Sequence, residues 1–342
     1  MIADSPAWQA GNQLKRRTVL LQSTVTIPSL PQDAREKRMS HECMSRRGFM
    51  KKSVFLAGAA AVTPWSRAFQ GTAGKIAASD LVSLGKSGQR ISRLGIGTGS
   101  NGGEVQRSLG QEGFNRLIRY AYDHGIIYID TADNYETHPM VRKAIQGLPR
   151  ERLWIQSKMW WTPENIQNPM AALERYRKEL GTDYIDSLLI HCTMKSTWPQ
   201  DVRPMMDAFD EAKEKKLIHV KGMSCHGLPA LRVAAQVDWA DVQLARVNPQ
   251  GVHVDGEDPE FGAPGQVDAA MKEIRAIHAK GRGVIGMKLI GNGEFHDPAD
   301  RRKAIQYAMT CGFVDAIVIG FASTAEIDEA VRNIERVGVA AA

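Results

Sequence analysis

Four residues of this chain have the types needed for proton transfer, and each stands at or just after a run of strand-forming residues. They are Asp130, Tyr135, Lys158 and His191. The run Ile126-Ile127-Tyr128-Ile129 leads into Asp130, and Asp133-Asn134 supplies turn chemistry before Tyr135. A carboxylate at a strand end and a phenol in the loop beyond it can share proton-transfer work. Singly, each has a structural explanation. Asp130 could cap a helix, Tyr135 could pack on it, Lys158 could be a solvated strand end, and His191 a satisfied core histidine. What matters is whether the elements bring all four to one edge.

The elements alternate. After Leu81 to Ile91, two short strands about the turn Gly85-Lys86-Ser87-Gly88, strand and helix patterns follow one another to the end of the chain. The predicted pairs are Leu94–Thr98 with 112–124, Ile126–Asp130 with 140–147, Leu153–Lys158 with 169–180, and Tyr184–His191 with 202–216. Ile218–Ser224 with 229–236, Asp241–Val247 with 266–280, Gly283–Leu289 with 300–310, and Ala316–Gly320 with 325–336 complete the set. Asn168-Pro169 should cap and open the third helix. Eight such pairs in about 250 residues match a (β/α)8 TIM barrel preceded by an amino-terminal β-hairpin. The competitor is a doubly wound sheet, for which Gly97-x-Gly99-x-x-Gly102 after a strand is a formal dinucleotide fingerprint. That fingerprint should open a helix at its third glycine, whereas Gly102-Gly103 reads on into loop. In a barrel the carboxyl ends of all strands ring one mouth. They would bring Thr98, Asp130, Tyr135, Lys158, His191, Ser224, Gln243 and Lys288 together there.

Charge is unevenly spread over the 342 residues. Residues 1–68 hold 11 Lys and Arg against 4 Asp and Glu, a net +7, while the remaining 274 residues hold 33 against 34. The basic excess therefore belongs to the leader, and the body gives no reason to expect a nucleic-acid partner. The four cysteines, Cys43, Cys192, Cys225 and Cys311, form no C-x-x-C pair and suit neither a disulfide framework nor a cysteine zinc site. His219, His226 and His253 show no metal spacing and read as structural or solvent-facing, so no metal is expected.

Ser45-Arg46-Arg47-Gly48-Phe49-Met50-Lys51 resembles the twin-arginine export signal. An apolar run from Val54 to Val62 follows, and Ser66-Arg67-Ala68 gives a small-x-small cleavage site, placing the cut after Ala68. The expectation is a signal peptide over 44–68, a linker over 69–79 and a folded body over 80–342. Residues 1–43 read as a mis-assigned start, with Met39 or Met44 the true initiator, or as a disordered extension. The signal implies the twin-arginine translocation machinery as a partner, a periplasmic or other extracytoplasmic location, and no stable membrane span after cleavage.

From Leu81 onward the body resembles the aldo/keto reductase family. Leu84-Gly85-Lys86-Ser87-Gly88 and Ser92 to Thr98 are similar to the family's hairpin and first strand. Asp130-Thr131-Ala132-Asp133-Asn134-Tyr135 matches its D-T-A-x-x-Y motif, Ser157-Lys158 its S-K, and Asp183 to His191 its D-Y-I-D-L-x-x-x-H. The resemblance implies a catalytic tetrad of Asp130, Tyr135, Lys158 and His191, NADP or NAD as cofactor, and reduction of an aldehyde or ketone. Tyr135 would be the general acid, its pKa, about 10 when free, lowered by Lys158, while Asp130 holds the ammonium. His191 would bond the carbonyl oxygen.

The cofactor contacts implied are Thr98, Asp130, Ser224, Gln243, Lys288, Gly291, Ser323 and Glu329. Cys225 stands where the family usually has asparagine, and Met287 where an aromatic often stacks on nicotinamide. Ser323-x-x-Glu326 reads as a capping box opening the last helix, whose positive end suits a phosphate. Glu326 stands where NADP-specific members often place arginine and leans toward NAD. Trp160, Trp161 and Trp198 could wall an apolar substrate pocket. The alternative function is a non-catalytic or regulatory cofactor-binding barrel of the same family, which would bind the nucleotide without turnover.

Overall fold

In a computed structural model of the chain, residues 76–258 and 265–340 are described. The predicted export segment 44–68, the stretch 1–43 and most of the predicted linker lie outside them. Residues 76–79, also predicted as linker, pack onto the folded body: Ala78 is buried and its carbonyl accepts from Leu94 N at 2.9 Å.

Strands β1 (Leu81–Ser83) and β2 (Arg90–Ser92) pair antiparallel, with Leu81 opposite Ser92. The eight that follow are β3 (Leu94–Gly97), β4 (Tyr128–Asp130), β5 (Trp154–Met159), β6 (Ile185–Thr193), β7 (Ile218–Cys225), β8 (Val242–Arg246), β9 (Gly283–Met287) and β10 (Ala316–Gly320). All eight run parallel and close in the order β10-β3-β4-β5-β6-β7-β8-β9. Closure excludes the doubly wound sheet.

Two apolar layers hold this barrel. Between strands and helices lies the larger one, fed by helical stripes such as Phe114, Leu117, Ile118 and Ala121 on Gly110–Asp123. Full burial of each large member contributes about 1.5–3 kcal/mol. Inside the barrel, Tyr128, Trp154, Leu189, Val220, Val242, Leu244, Ile285 and Val318 form a second cluster. Leu84 and Ile91 of the hairpin belong to it, so β1 and β2 plug the end of the barrel where the strands begin. That leaves the carboxyl ends as the open mouth.

Most elements lie within a few residues of their predicted bounds, and the differences have local causes. β9 ends at Met287 because Lys288 turns to φ 59. Asn168 stands at the N-cap position of Pro169–Leu180 without a capping side-chain bond. A five-residue helix, Glu104–Ser108, begins directly after Gly103, where loop was expected. It is too short to bear an apolar stripe. The last helix, Thr324–Ala340, has the expected start: Glu326 N donates to Ser323 Oγ at 3.4 Å, and the Glu326 carboxylate accepts from Ala322 N at 2.8 Å. No described helix is long and apolar enough to cross a membrane.

Candidate active site

Three neighbouring strands and one turn converge. Asp130 ends β4, Lys158 lies near the end of β5, and His191 near the end of β6. Tyr135 closes the 3-10 turn Asp133–Tyr135 that follows β4. The turn is fixed through Asp133, whose carboxylate accepts from Tyr176 OH at 2.6 Å, Asn165 Nδ2 at 3.2 Å and Trp160 N at 3.2 Å. Arg107 donates to the carbonyl of Tyr135 from the other side.

The glycine-rich stretch after β3 serves this tyrosine. Gly97 and Gly99 line the same cavity as Tyr135. A Cβ on Gly99 would stand 2.3 Å from two atoms of the Tyr135 ring. The glycine spacing that resembles a dinucleotide fingerprint therefore makes room for a phenol beside the first strand.

Lys158 Nζ donates to Asp130 Oδ2 at 2.8 Å, to Thr131 O at 2.9 Å and to Tyr135 OH at 3.5 Å. Tyr135 OH is 3.4 Å from His191 Nε2. Gln156 Nε2 donates to Asp130 Oδ1 at 2.8 Å and to Tyr128 OH at 2.9 Å, fixing the carboxylate. The sequence reading missed Gln156. It lies two residues before Lys158 on one strand, so the alternation of faces was a usable signal.

The electrostatics differ from expectation at the phenol. Burial pushes the Tyr135 hydroxyl well above its ordinary value, and Asp130 pushes it further. The expected lowering by Lys158 does not occur. The ammonium is closer to Asp130 than to the phenol, and a neutralised pair offers the hydroxyl little positive field. Burial also lowers Lys158, against which Asp130 favours the charged form. Burial, then Lys158 and Lys288, hold His191 well below its ordinary value. The site thus presents a protonated phenol beside a neutral imidazole at neutral pH. Two donors can reach one oxygen there, which is what a developing alkoxide requires.

A cavity of about 400 Å³ is lined by Tyr135, Met287, Lys288, Asn292, Arg301, Glu326, Glu329 and Asn333, among others. Lys288 Nζ donates to Asn292 Oδ1 at 2.7 Å. Its pKa is pulled down to about 8 by burial and then by Arg246. Asn248 Nδ2 donates to the Lys288 carbonyl at 3.1 Å and holds its left-handed turn. Gly291 opens the next turn, Gly291–Gly293. Gln243 is fully buried, and its Oε1 has no partner among the described residues. That oxygen could accept from a carboxamide, and Lys288 could meet a pyrophosphate. The residues present therefore fit a nicotinamide dinucleotide.

Other predicted residues are placed differently. Thr98 joins a buried hydroxyl chain, 2.8 Å from Thr137 Oγ1, which is 2.9 Å from Thr131 Oγ1. Ser224 Oγ accepts from Cys192 N at 2.9 Å and is fully buried. Ser323 serves the helix cap, and Glu329 is paired with Arg301 at 2.7 Å, a cation the sequence reading did not single out. Of the tryptophans, Trp160 stands edge-on to His191, ring centres 5.1 Å apart. Trp198 does not line the cavity at Tyr135: it is buried in the main core with its indole N–H on Ala230 O. Trp161 lies with it in a separate small recess. His226, predicted structural or solvent-facing, is buried with its ring 6.4 Å from that of His191. His219 packs on Tyr184, and His253 meets Glu294. No group of potential metal ligands occurs among the described residues.

Residues 93–336 match the aldo/keto reductase family. The chain is 30% identical over 146 residues to a 9,11-endoperoxide prostaglandin H2 reductase of Trypanosoma cruzi, covering 42% of this chain and 48% of that protein. It is 31% identical over 131 residues to a methylglyoxal reductase of Salmonella typhi, covering 36% and 47%. An aldehyde reductase of Saccharomyces cerevisiae is 36% identical over 115 residues, covering 33% and 32%. The matched stretches span about half or less of these relatives. Among solved structures, a putative aldo-keto reductase from Pseudomonas aeruginosa superposes with TM-score 0.62 at 20% identity, covering 76% of this chain and 97% of that one.

Proposed function

On the premise that this chain belongs to the aldo/keto reductase family, we propose that it reduces the carbonyl group of a small aldehyde or ketone to an alcohol at the mouth of its barrel. The observation that carries the reading is Tyr135 OH, set 3.5 Å from Lys158 Nζ and 3.4 Å from His191 Nε2, with Tyr135 lining a cavity of about 400 Å³. Reduced nicotinamide, NADPH or NADH, supplies the hydride when bound. The chain supplies the rest. His191, neutral, donates to the carbonyl oxygen and sets its angle. Tyr135 gives that oxygen its proton. Lys158 Nζ, 3.5 Å from that hydroxyl, offers a hydrogen bond to the oxygen left behind, and Asp130 with Gln156 keeps the amine in place. Trp160 packs edge-on against His191 and helps to fix its ring. The names of the similar aldehyde reductase and methylglyoxal reductase support the same substrate class. The test follows nicotinamide absorbance of the purified protein against a panel of small aldehydes and ketones. Turnover on several members is expected. Cofactor binding without turnover on any of them would favour the non-catalytic barrel.

We also propose that the protein works outside the cytoplasm after passage through the twin-arginine translocation machinery. The order of Arg46-Arg47, the apolar run 54–62 and Ser66-Arg67-Ala68 supports this. Replacing both arginines by lysine keeps the charge but loses the guanidinium geometry. Uncut cytoplasmic precursor is expected. A mature end at Phe69 in the exported fraction of that variant would refute it.

A further inference from the structure

The short helix Glu104–Ser108 does more than continue the glycine-rich loop. Gln106, fully buried, ties it to the barrel: its Oε1 accepts from Ser100 N at 3.0 Å, and its Nε2 donates to the Phe321 carbonyl, just beyond β10, at 3.2 Å. Arg107 reaches the other way. Its Nη1 donates to the carbonyl of Tyr135 and, at 2.9 Å, to the carbonyl of Gly102. One nitrogen thus joins the glycine-rich loop to the turn that carries the phenol. Gly103 makes room for that bridge. A Cβ there would stand 2.5 Å from the Tyr135 carbonyl oxygen and 2.7 Å from Arg107 Nη1.

The turn needs a hold at this point. Asp133 fixes its start through Tyr176, Asn165 and the Trp160 amide. At its end the chain passes through Glu136, a non-glycine residue at φ 57. Such a conformation persists only where the surroundings impose it. The exposed Glu136 carboxylate lies 3.9 Å from Arg107 Nε, a screened ion pair that contributes little. The bond to the Tyr135 carbonyl is the firmer contact, because its donor is charged. The phenol has no latitude to move. Its contacts, 3.5 Å to Lys158 and 3.4 Å to His191, are already at the long end for hydrogen bonds, so a small retreat breaks them.

We infer that Arg107 is a positioning residue for the reduction: by clamping the Tyr135 carbonyl it holds the phenol against Lys158 and His191. The inference rests on the proposed function, and the test separates the two. Steady-state reduction of small aldehydes and ketones is measured for the whole protein, wild type and Arg107→Ala, beside calorimetric titration with the oxidised dinucleotide. In the variant kcat should fall between about tenfold and a hundredfold while cofactor affinity stays within about threefold of wild type. Free guanidinium, added well below denaturing concentrations, should restore several-fold of the lost kcat and leave wild type unchanged. Sodium chloride at the same ionic strength should restore nothing. A residue that only supported the fold would not respond in this way. Glu136→Gln removes the ion pair and keeps the carbonyl bond, so it should stay within about twofold of wild type. An Arg107→Ala enzyme within about twofold of wild type overturns the inference and leaves the proposed function standing. So does a loss that guanidinium does not relieve, or an equal loss in Glu136→Gln. No turnover by wild type on any of the carbonyl compounds overturns both.

Discussion

In a Gly99→Ala variant, the new methyl group would stand 2.3 Å from both Cε2 and Cζ of Tyr135 and 2.8 Å from Cδ2. Comfortable carbon–carbon contacts lie at about 3.5–4.0 Å, so the ring must retreat by more than about 1 Å. Cζ carries the hydroxyl that reaches Lys158 at 3.5 Å and His191 at 3.4 Å, and neither contact survives such a shift. A misplacement of about 1 Å in a reacting group costs about 10²-fold in rate, or about 2.7 kcal/mol of transition-state stabilisation. The backbone gives no competing cause of failure, because Gly99 does not occupy the left-handed region. Gly102→Ala is the matched control. Its φ is 63 and nothing lies within 4 Å of the added Cβ, so it should lose about 1–2 kcal/mol of stability and no rate. The assay is kcat/KM for carbonyl reduction beside thermal denaturation of both variants. A Gly99→Ala enzyme within about threefold of wild type would refute the placement of the phenol.

Lys288 gives a pH prediction. Its pKa in the free protein lies at about 8, so the ammonium is present below that pH and lost above it. A bound pyrophosphate favours the charged form, so cofactor affinity should hold steady up to about pH 8 and fall as pH rises further. Lys288→Met should bind weakly with a flat profile, and a sloping profile in that variant would rule the lysine out as the titrating group. The Asp130–Lys158 pair gives a stability prediction. Both side chains are buried, and Asp130→Leu alone strands the ammonium at a cost of about 3–5 kcal/mol. Asp130→Leu/Lys158→Met should recover most of that by denaturant titration while remaining inactive. Equal stability of the single and double variants would contradict the pairing.

The barrel was legible because its strands are apolar runs that lead into polar loops, and because Gly85 and Gly88 mark the hairpin. Asp130, Lys158 and His191 were legible as chemistry because each ends such a run, and the structure brings them to one phenol. What was not legible depends on depth. Trp198 looks like a pocket wall beyond His191, but the short helix Trp198–Asp201 turns it into the core. Ser224 stands at a strand end like Asp130, yet it is fully buried and its Oγ accepts from a backbone N–H of the neighbouring strand. Arg301 sits in an unremarkable polar helix and gains meaning only from Glu329, 28 residues on. The direction of the Tyr135 shift was misread because burial, invisible in one dimension, outweighs a charge that Asp130 has already neutralised.

The central claim, that Tyr135 is the proton donor of a carbonyl reductase, is tested most directly by Tyr135→Phe. Removing one hydroxyl from the buried site deletes the donor and little else. Positioned proton transfer contributes about 10²–10⁴-fold, so kcat should fall by that factor while cofactor affinity stays within about threefold of wild type. Retention of most of the reduction rate by the phenylalanine variant, with cofactor binding intact, would contradict the account.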